Sequence, residues 1–505
     1  MNTRTEQFLY SSGSISVSRV GWRRPRPVLG APDSCDTIGY LRFRSTRPMR
    51  SNLVLSLQPG NTGGPSSFDP VARNLITELE RRGVGCEVWA MERCGQRLVD
   101  DRGVWAAVAA EDYRVAIDYY YRGGAVDGAR FTGWPSGRTV RFLSRIGIPQ
   151  VIEDWHFIHT QEMPDRSERA RRLFIGGHSL GGPLANYYCQ WDFPAGPGYD
   201  EVAGVLGLDG PIAVDALRVH RLPGRRPMAS AAARAMPFAA ASMRARMLPA
   251  SASSGLLRLT DIALLTTIAA IGARFEPDAE SVLPQQIPHS MTLDPMLRLL
   301  FPRGGLRSWR LSNAAVFGSL FGRSAQGTTL SGDIGCYTGP LRTKHRMVTR
   351  LANQPIIGEP FAALLSPNPR YMPADPRTVV AGWAESPDSI SSFQDTVLAW
   401  SNGDFSYLNS YESRRLRSEA MVAMIGGVPA GCERLVHRDW EQHIPSLVFA
   451  SDVWAPIRTR RTAAVNEVDA AGYSHQDMLC ARQPDVVVDR IVEFIAAQEI
   501  ARQTA

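Results

Sequence analysis

Six residues, Gly177-His178-Ser179-Leu180-Gly181-Gly182, follow the apolar run Leu173-Phe174-Ile175 and precede Pro183-Leu184-Ala185-Asn186-Tyr187-Tyr188, which can continue as a helix. The pattern is a strand, a serine between glycines, and a helix. On so sharp a turn the serine hydroxyl is pushed out over the sheet, and bulky flanking side chains would clash. Such a hydroxyl is a candidate nucleophile for acyl chemistry, but a weak one until a base takes its proton, and at neutral pH an imidazole is the usual base. A G-x-S-x-G string also arises by chance in a chain with 44 glycines. The base, an acid and donors for a developing oxyanion must therefore come from elsewhere in the chain.

Of nine histidines, His475 has the right address. It lies in Gly472-Tyr473-Ser474-His475-Gln476-Asp477-Met478-Leu479, a loop predicted between the last strand and the last helix. In a doubly wound sheet that loop opens at the same strand edge as the turn at Ser179. His178, inside the turn, is expected to point away from a substrate and act as support. His156 and His159 share one predicted helix with Glu153 and Glu162, but no second His or Cys pair completes a metal site. No metal and no cofactor are expected. One oxyanion donor is predicted to be the backbone N–H of Leu180, directly after the serine and at a helix N-terminus.

These groups need a scaffold, and the pattern of elements supplies one. Strands are predicted at Gly39 to Arg44 (with the alternation of an edge strand), Leu53 to Leu57, Glu87 to Met91, Leu173 onward and Val202 to Leu208. Helices are predicted at Phe68 to Arg82, around Val104 to Tyr121 and around Gln150 to Glu162. Strand signals return at Ser446 to Ala450 and Ala463 to Val468, and a final helix covers Asp485 to Gln498 with Val487, Ile491 and Phe494 facing a core. Strands alternating with helices indicate an α/β class with a mostly parallel, doubly wound sheet. Residues 1–36, rich in Ser, Arg and Pro, are expected to be a loosely packed leader. Core regions are expected at 37–212 and 441–505, interrupted by a large, mainly helical cap at 213–440. Within it, the stretch Arg218 to Met247 is rich in arginine, methionine and alanine and follows Asp215.

Composition narrows the partners. A chain of 505 residues with 44% hydrophobic and 21% charged residues has the balance of a soluble globular protein with more than one unit. The net charge of +7 comes almost wholly from arginine, since Lys344 is the one lysine. No dense basic run with interleaved aromatics is present, so nucleic acid is not an expected partner. Seven scattered cysteines give neither a disulfide framework nor a zinc knuckle. The N-terminal arginines are followed by prolines and glycine instead of an apolar segment, so no secretory signal is expected and a cytoplasmic location follows. Ile262 to Gly272 is about half the roughly 20 residues of a bilayer span, so a buried or interfacial helix is expected there and no transmembrane segment.

The order of parts, the motif Gly177 to Gly182, the loop Pro59-Gly60 after an early strand and the late His475 resemble the α/β-hydrolase superfamily. Asp118-Tyr119-Tyr120-Tyr121-Arg122-Gly123 and Gln190-Trp191-Asp192-Phe193 resemble, more narrowly, a group of uncharacterised actinobacterial α/β-hydrolases. The likeness implies an acid after one of two late strands, and the chain offers Asp209, in Gly207-Leu208-Asp209-Gly210-Pro211, and Asp452, in Ser451-Asp452-Val453-Trp454. Asp209, the preferred candidate, resembles the arrangement of pancreatic-type lipases; Asp452 resembles the commoner one but lacks the usual preceding glycine. The likeness also implies a second oxyanion donor in the backbone N–H of Asn61, where a His-Gly start is more familiar. It implies cleavage of a small-molecule or lipid-like ester through an acyl-enzyme. Acyl transfer by the same residues, or ligand binding without catalysis, are the alternatives. The basic, methionine-rich part of the cap implies a lid or a transient contact with a membrane surface. A solvated basic face over a methionine core is the plainer reading.

Overall fold

The computed structural model describes residues 3–49, 52–212, 224–251, 253, 259–288, 306–344, 370–453 and 465–504. Asp215 and Arg218 to Leu222, in the expected cap, lie outside them, as do Ala463 and Ala464 of the late strand.

Among the described residues nine strands form one sheet: β1 (Arg4–Ser12), β2 (Ile15–Arg23), β3 (Thr37–Ser45), β4 (Asn52–Gln58), β5 (Gly85–Met91), β6 (Leu173–His178), β7 (Gly204–Leu208), β8 (Ser446–Ala450) and β9 (Asn466–Asp469). Their spatial order is β1-β2-β3-β5-β4-β6-β7-β8-β9. The pairings β1·β2, β2·β3 and β3·β5 are antiparallel, and every pairing from β5·β4 onward is parallel. Two expectations are corrected here. The first 36 residues are no loose leader, because β1 and β2 form an antiparallel ribbon that extends the sheet. β3 is consequently interior and not an edge strand. The alternation read in Gly39 to Arg44 is real, but a strand with one apolar face looks the same whether or not a ribbon covers its outer side.

β6 shows how the sheet is covered on both faces. All six of its residues are buried. Leu173 and Ile175 join an apolar cluster with Ile152, Trp155 and Leu184, whereas Phe174 joins another with Leu75, Leu206 and Ile491. Successive side chains of a strand point to opposite faces, so an unbroken apolar run needs helices on both sides. The helices α1 (Asp69–Arg81), α2 (Arg102–Ala109), α3 (Tyr113–Tyr121), α4 (Ile148–Glu162) and α5 (Gly181–Gln190) lie between strands in sequence. α1 buries Val71, Leu75 and Leu79, and Gly83 with φ 77° follows its end. The single helix expected from Val104 to Tyr121 is two: Glu111 has φ 53°, and the Asp112 side chain caps α3 by accepting from Arg114 N.

Between β7 and β8, adjacent in the sheet, the described chain includes α6 (Arg225–Arg244), α7 (Leu259–Phe275), α8 (Asn313–Phe321), α9 (Phe393–Trp400) and α10 (Arg414–Met424), with short two-stranded pieces. α7, read as a buried or interfacial helix, is buried along most of its length. It shares one apolar cluster with Val104 of α2, Ile117 and Tyr120 of α3, and Phe317 of α8. The long segment is therefore continuous in packing with the helices α2 and α3. The chain closes with α11 (Val486–Thr504), which buries Val487, Ile491 and Phe494. Among the described residues no helix is long and apolar enough to cross a membrane.

The glycines around Ser179 are dictated by backbone approach. A Cβ on Gly177 or on Gly181 would overlap the carbonyl oxygen of Gln58 at the end of β4, and one on Gly210 would overlap the carbonyl oxygen of Ser179. Gly181→Ala is expected to cost about 1–3 kcal/mol through overpacking against backbone that has no rotamer to change. Urea unfolding measures it, and an unchanged midpoint at unchanged slope would refute the close approach of β4 to α5.

Candidate active site

Sheet register sets the site. Leu208 of β7 pairs with His178 of β6 on one side and with Phe449 of β8 on the other. The next residue on each strand therefore emerges at one edge. Ser179 N donates to Leu208 O at 3.0 Å, and Asp209 N donates to Phe449 O at 3.0 Å. Both residues then leave the sheet in the left-handed region, Ser179 with φ 53° and Asp209 with φ 49°. Non-glycine residues enter that region at a cost of order 1–3 kcal/mol, and such strain gathers at functional sites. Gly182 and Gly210, which follow the two turns, approach so closely that a Cβ on Gly182 would overlap the Gly210 carbonyl.

The loop after β9 brings His475 to this edge. Its Nδ1 is hydrogen-bonded to Asp209 Oδ2, with the aspartate fully buried. Asp209 also accepts from Ser451, from the backbone N–H at 2.7 Å on Oδ1 and from Oγ at 2.7 Å on Oδ2. Asp452 is not at the histidine: it is exposed, and its Oδ2 accepts from the backbone N–H of Gly472 at 3.1 Å. Of the two candidate acids, the structure thus joins Asp209 to His475 and gives Asp452 a loop-capping bond. The adjacent Ser451, not singled out from sequence, is the residue of that loop that reaches the site.

His178 supports the loop, as expected of it. Its Nε2 lies 3.0 Å from the carbonyl oxygen of His475, and the two rings lie 4.3 Å apart. Burial, and then the neighbouring His475, hold its pKa well below the usual histidine range. A neutral His178 is consistent with Nε2–H donating to that carbonyl. Three further bonds hold the loop from the long segment: His475 N donates to Thr329 O at 2.8 Å, and Asp477 accepts from Ser391 Oγ and Asp333 N, as it also does from Ser474 N within the loop. Ser391, Thr329 and Asp333 carried no signal in sequence, because their partners lie some 86 to 146 residues away.

The other side of Ser179 is occupied by the loop after β4. A Cβ on Gly60 would lie 3.0 Å from Ser179 Cβ and 3.0 Å from His178 Nδ1, so any larger residue here would press on both site side chains. Asn61 follows directly, exposed, with Thr62 at φ 58°. Leu180, the other expected oxyanion donor, is buried immediately before α5. The loop is held by buried Arg93, which donates to Pro59 O and Gly60 O and pairs with Glu412. Burial raises the pKa of Glu412 while Arg93 lowers it. Asn409 N donates to Thr62 O at 2.7 Å and Gly64 N to Tyr407 O at 2.9 Å, so residues 407–412 clasp the same loop. Arg93→Gln is expected to cost about 3–5 kcal/mol in urea unfolding, since it strands a buried carboxylate. Arg93→Gln/Glu412→Gln should recover most of that; equal losses in both would mean the pair is not coupled.

His156 and His159 have structural partners. His159 is buried between Ser56 Oγ at 2.9 Å and Tyr188 Oη at 3.0 Å, and burial pushes its pKa well down. His156 Nε2 lies 3.1 Å from Glu201 Oε2. Among the described residues no group of three His, Cys, Asp or Glu is placed to hold a metal ion.

Setting the β1 strand aside, the remaining eight run β2-β3-β5-β4-β6-β7-β8-β9, with the serine turn after β6 and the histidine loop after β9. The chain has the α/β-hydrolase fold. No protein-family model and no curated protein matches it. Solved structures that are similar include "a putative lipase from Sulfolobus solfataricus" (11% identity, 98% of this chain and 99% of that one, TM-score 0.45). A peroxisomal alpha-beta-hydrolase from Saccharomyces cerevisiae has 10% identity over 98% and 90% of the chains and a TM-score of 0.34. An alpha/beta hydrolase fold protein from Nakamurella multipartita has 11% identity over 92% and 96% and a TM-score of 0.32. The likeness is one of fold, and the chemistry open to Ser179 is set by this chain's own geometry.

Proposed function

We propose that the chain is a serine hydrolase that cleaves a carboxylic ester, small or lipid-like, through an acyl-enzyme. The observation that carries this reading is the hydrogen bond from His475 Nδ1 to buried Asp209, at the strand edge where Ser179 leaves the sheet with positive φ. With Nδ1–H held by a carboxylate, Nε2 is the nitrogen left to take a proton.

In the first half-reaction Ser179 Oγ attacks the ester carbonyl as His475 Nε2 removes its proton. Asp209 holds the ring and stabilises the imidazolium that forms. The backbone N–H groups of Leu180 and Asn61 receive the negative oxygen, and the imidazolium returns its proton to the departing alkoxide. Water, deprotonated by the same nitrogen, attacks the acyl-serine in the second half-reaction and frees the acid. Ser451 keeps both carboxylate oxygens of Asp209 supplied with donors, and the Arg93–Glu412 pair holds the carbonyls of Pro59 and Gly60 so that the following N–H groups have a set direction.

A fluorophosphonate tests the reading directly. Wild-type protein is expected to take up one phosphonyl group at Ser179, read by mass on the peptide that contains it, with parallel loss of activity on a short-chain nitrophenyl ester. Uptake at another residue, or none at all, would end the proposal.

A further inference from the structure

A surface cavity of about 800 Å³ lies between the turn at Arg141–Arg145 and the C-terminal end of α6. Arg138, Arg141, Arg145, Arg244 and Arg246 line it, and no lining residue is acidic. Several buried or half-buried arginines elsewhere have carboxylate partners, such as Arg19 with Glu92, Arg42 with Glu87 and Arg169 with Glu201. None of these five makes an ion pair among the described residues, and Arg141 Nε is buried without a hydrogen-bond partner. Five guanidinium groups around one cavity repel one another, so an anion there gains from all of them at once.

A second feature says what kind of anion. Large apolar side chains are exposed in its lining or next to it along the chain: Leu29, in the lining, is 72% exposed, and Met247 and Leu248, directly after the lining residue Arg246, are 73% and 45% exposed. Phe238, 74% exposed, lies seven residues before the lining residue Ala245. That spacing puts it on the same helical stripe, roughly 10 Å further along. A soluble phosphate would engage the arginines and leave these side chains in water. A bilayer surface takes both, with guanidinium groups among lipid phosphates and apolar side chains just below them.

We propose that this face, formed by residues 138–145 and the end of α6 through Leu248, docks on an anionic lipid bilayer. It is independent of the hydrolase reading, since docking needs no turnover. Each arginine brought to an anionic surface contributes roughly fivefold to binding, and salt screens the attraction over about 10 Å at 0.1 M.

The test uses the full chain and sedimentation with vesicles of phosphatidylcholine, with and without phosphatidylglycerol. Binding is expected only to the mixed vesicles, falling as salt rises. Arg141→Gln/Arg145→Gln/Arg244→Gln should weaken it by roughly 100-fold. Phe238→Ser/Met247→Ser should weaken it by roughly tenfold or more while keeping the salt dependence. Unchanged near-ultraviolet circular dichroism establishes that each variant is folded. Wild-type protein that ignores mixed vesicles, or a triple variant that binds as well as wild type, would overturn the proposal. So would release by inorganic phosphate with no effect of Phe238→Ser/Met247→Ser, which would assign the arginines to a soluble anion. A protein that takes no fluorophosphonate yet binds vesicles leaves docking intact and removes only the hydrolase.

Discussion

Ser179→Ala is expected to lower kcat for a soluble nitrophenyl ester by roughly 10⁶-fold, the scale on which removing a serine nucleophile disables the residues that act with it. KM should change little, because the hydroxyl contributes to bond making and not to ground-state binding. Stability should hold or rise: an alanine keeps the Cβ and the backbone bond from residue 179 N to Leu208 O. Its φ of 53° is costly for either residue, so the strain is common to both. His475→Ala should fall to the same residual rate, and the double variant no further, since each single change already disables the unit. Fluorophosphonate labelling should vanish with Ser179→Ala. A Ser179→Ala protein that keeps more than about a hundredth of the wild-type rate would place the nucleophile elsewhere, because the oxyanion donors and binding alone do not sustain that fraction.

Asp209→Asn should reduce kcat by up to about 10⁴-fold, and Asp452→Asn by no more than a few fold. An amide at residue 209 keeps the shape but can no longer stabilise an imidazolium, and it can hold the ring in the wrong tautomer. It also presents an N–H₂ group where Ser451 N and Oγ now donate, so a loss of about 1–3 kcal/mol in stability accompanies the loss of rate. Rates are therefore compared well below the unfolding transition of each variant. Among the described residues Asp452 accepts from Gly472 N at the surface, and an asparagine oxygen can do the same. If Asp452→Asn were the slower enzyme, the assignment of the acid would be reversed. If both kept near-wild-type rates, neither aspartate would serve the histidine.

Much of this scaffold was legible because it is written in local periodicity. The apolar run at Leu173 to Ile175 needed helices on both sides, and both are present. The stripe Val71, Leu75, Leu79 and the stripe Val487, Ile491, Phe494 face the core as their spacing requires. Other elements were hidden for physical reasons. β2 alternates only over Ile15-Ser16-Val17-Ser18, and β1 opens on four polar residues and is largely outward-facing. Such a strand is stabilised by its partner's backbone more than by its own hydrophobicity, so composition reads it as a loose tail. The break between α2 and α3 rests on one left-handed residue, Glu111, which has no helix-stop sequence such as glycine or proline.

By itself, the sequence determined the reactive serine's setting and the residue types able to serve it. Gly177, Gly181 and the flanking strand and helix are local requirements, and a late histidine loop is a matter of order along the chain. Which aspartate serves that histidine was not local information. Asp209 and Asp452 each follow a parallel strand, and only the register of β7 between β6 and β8, with the arc of the loop after β9, brings one carboxylate to Nδ1 and turns the other to Gly472. The same holds for Arg93 and Glu412, 319 residues apart, and for the five arginines around the cavity between residues 138–145 and the end of α6. A buried ion pair or a cavity of like charges is a property of distances in space, which chain order does not carry until the sheet has set them.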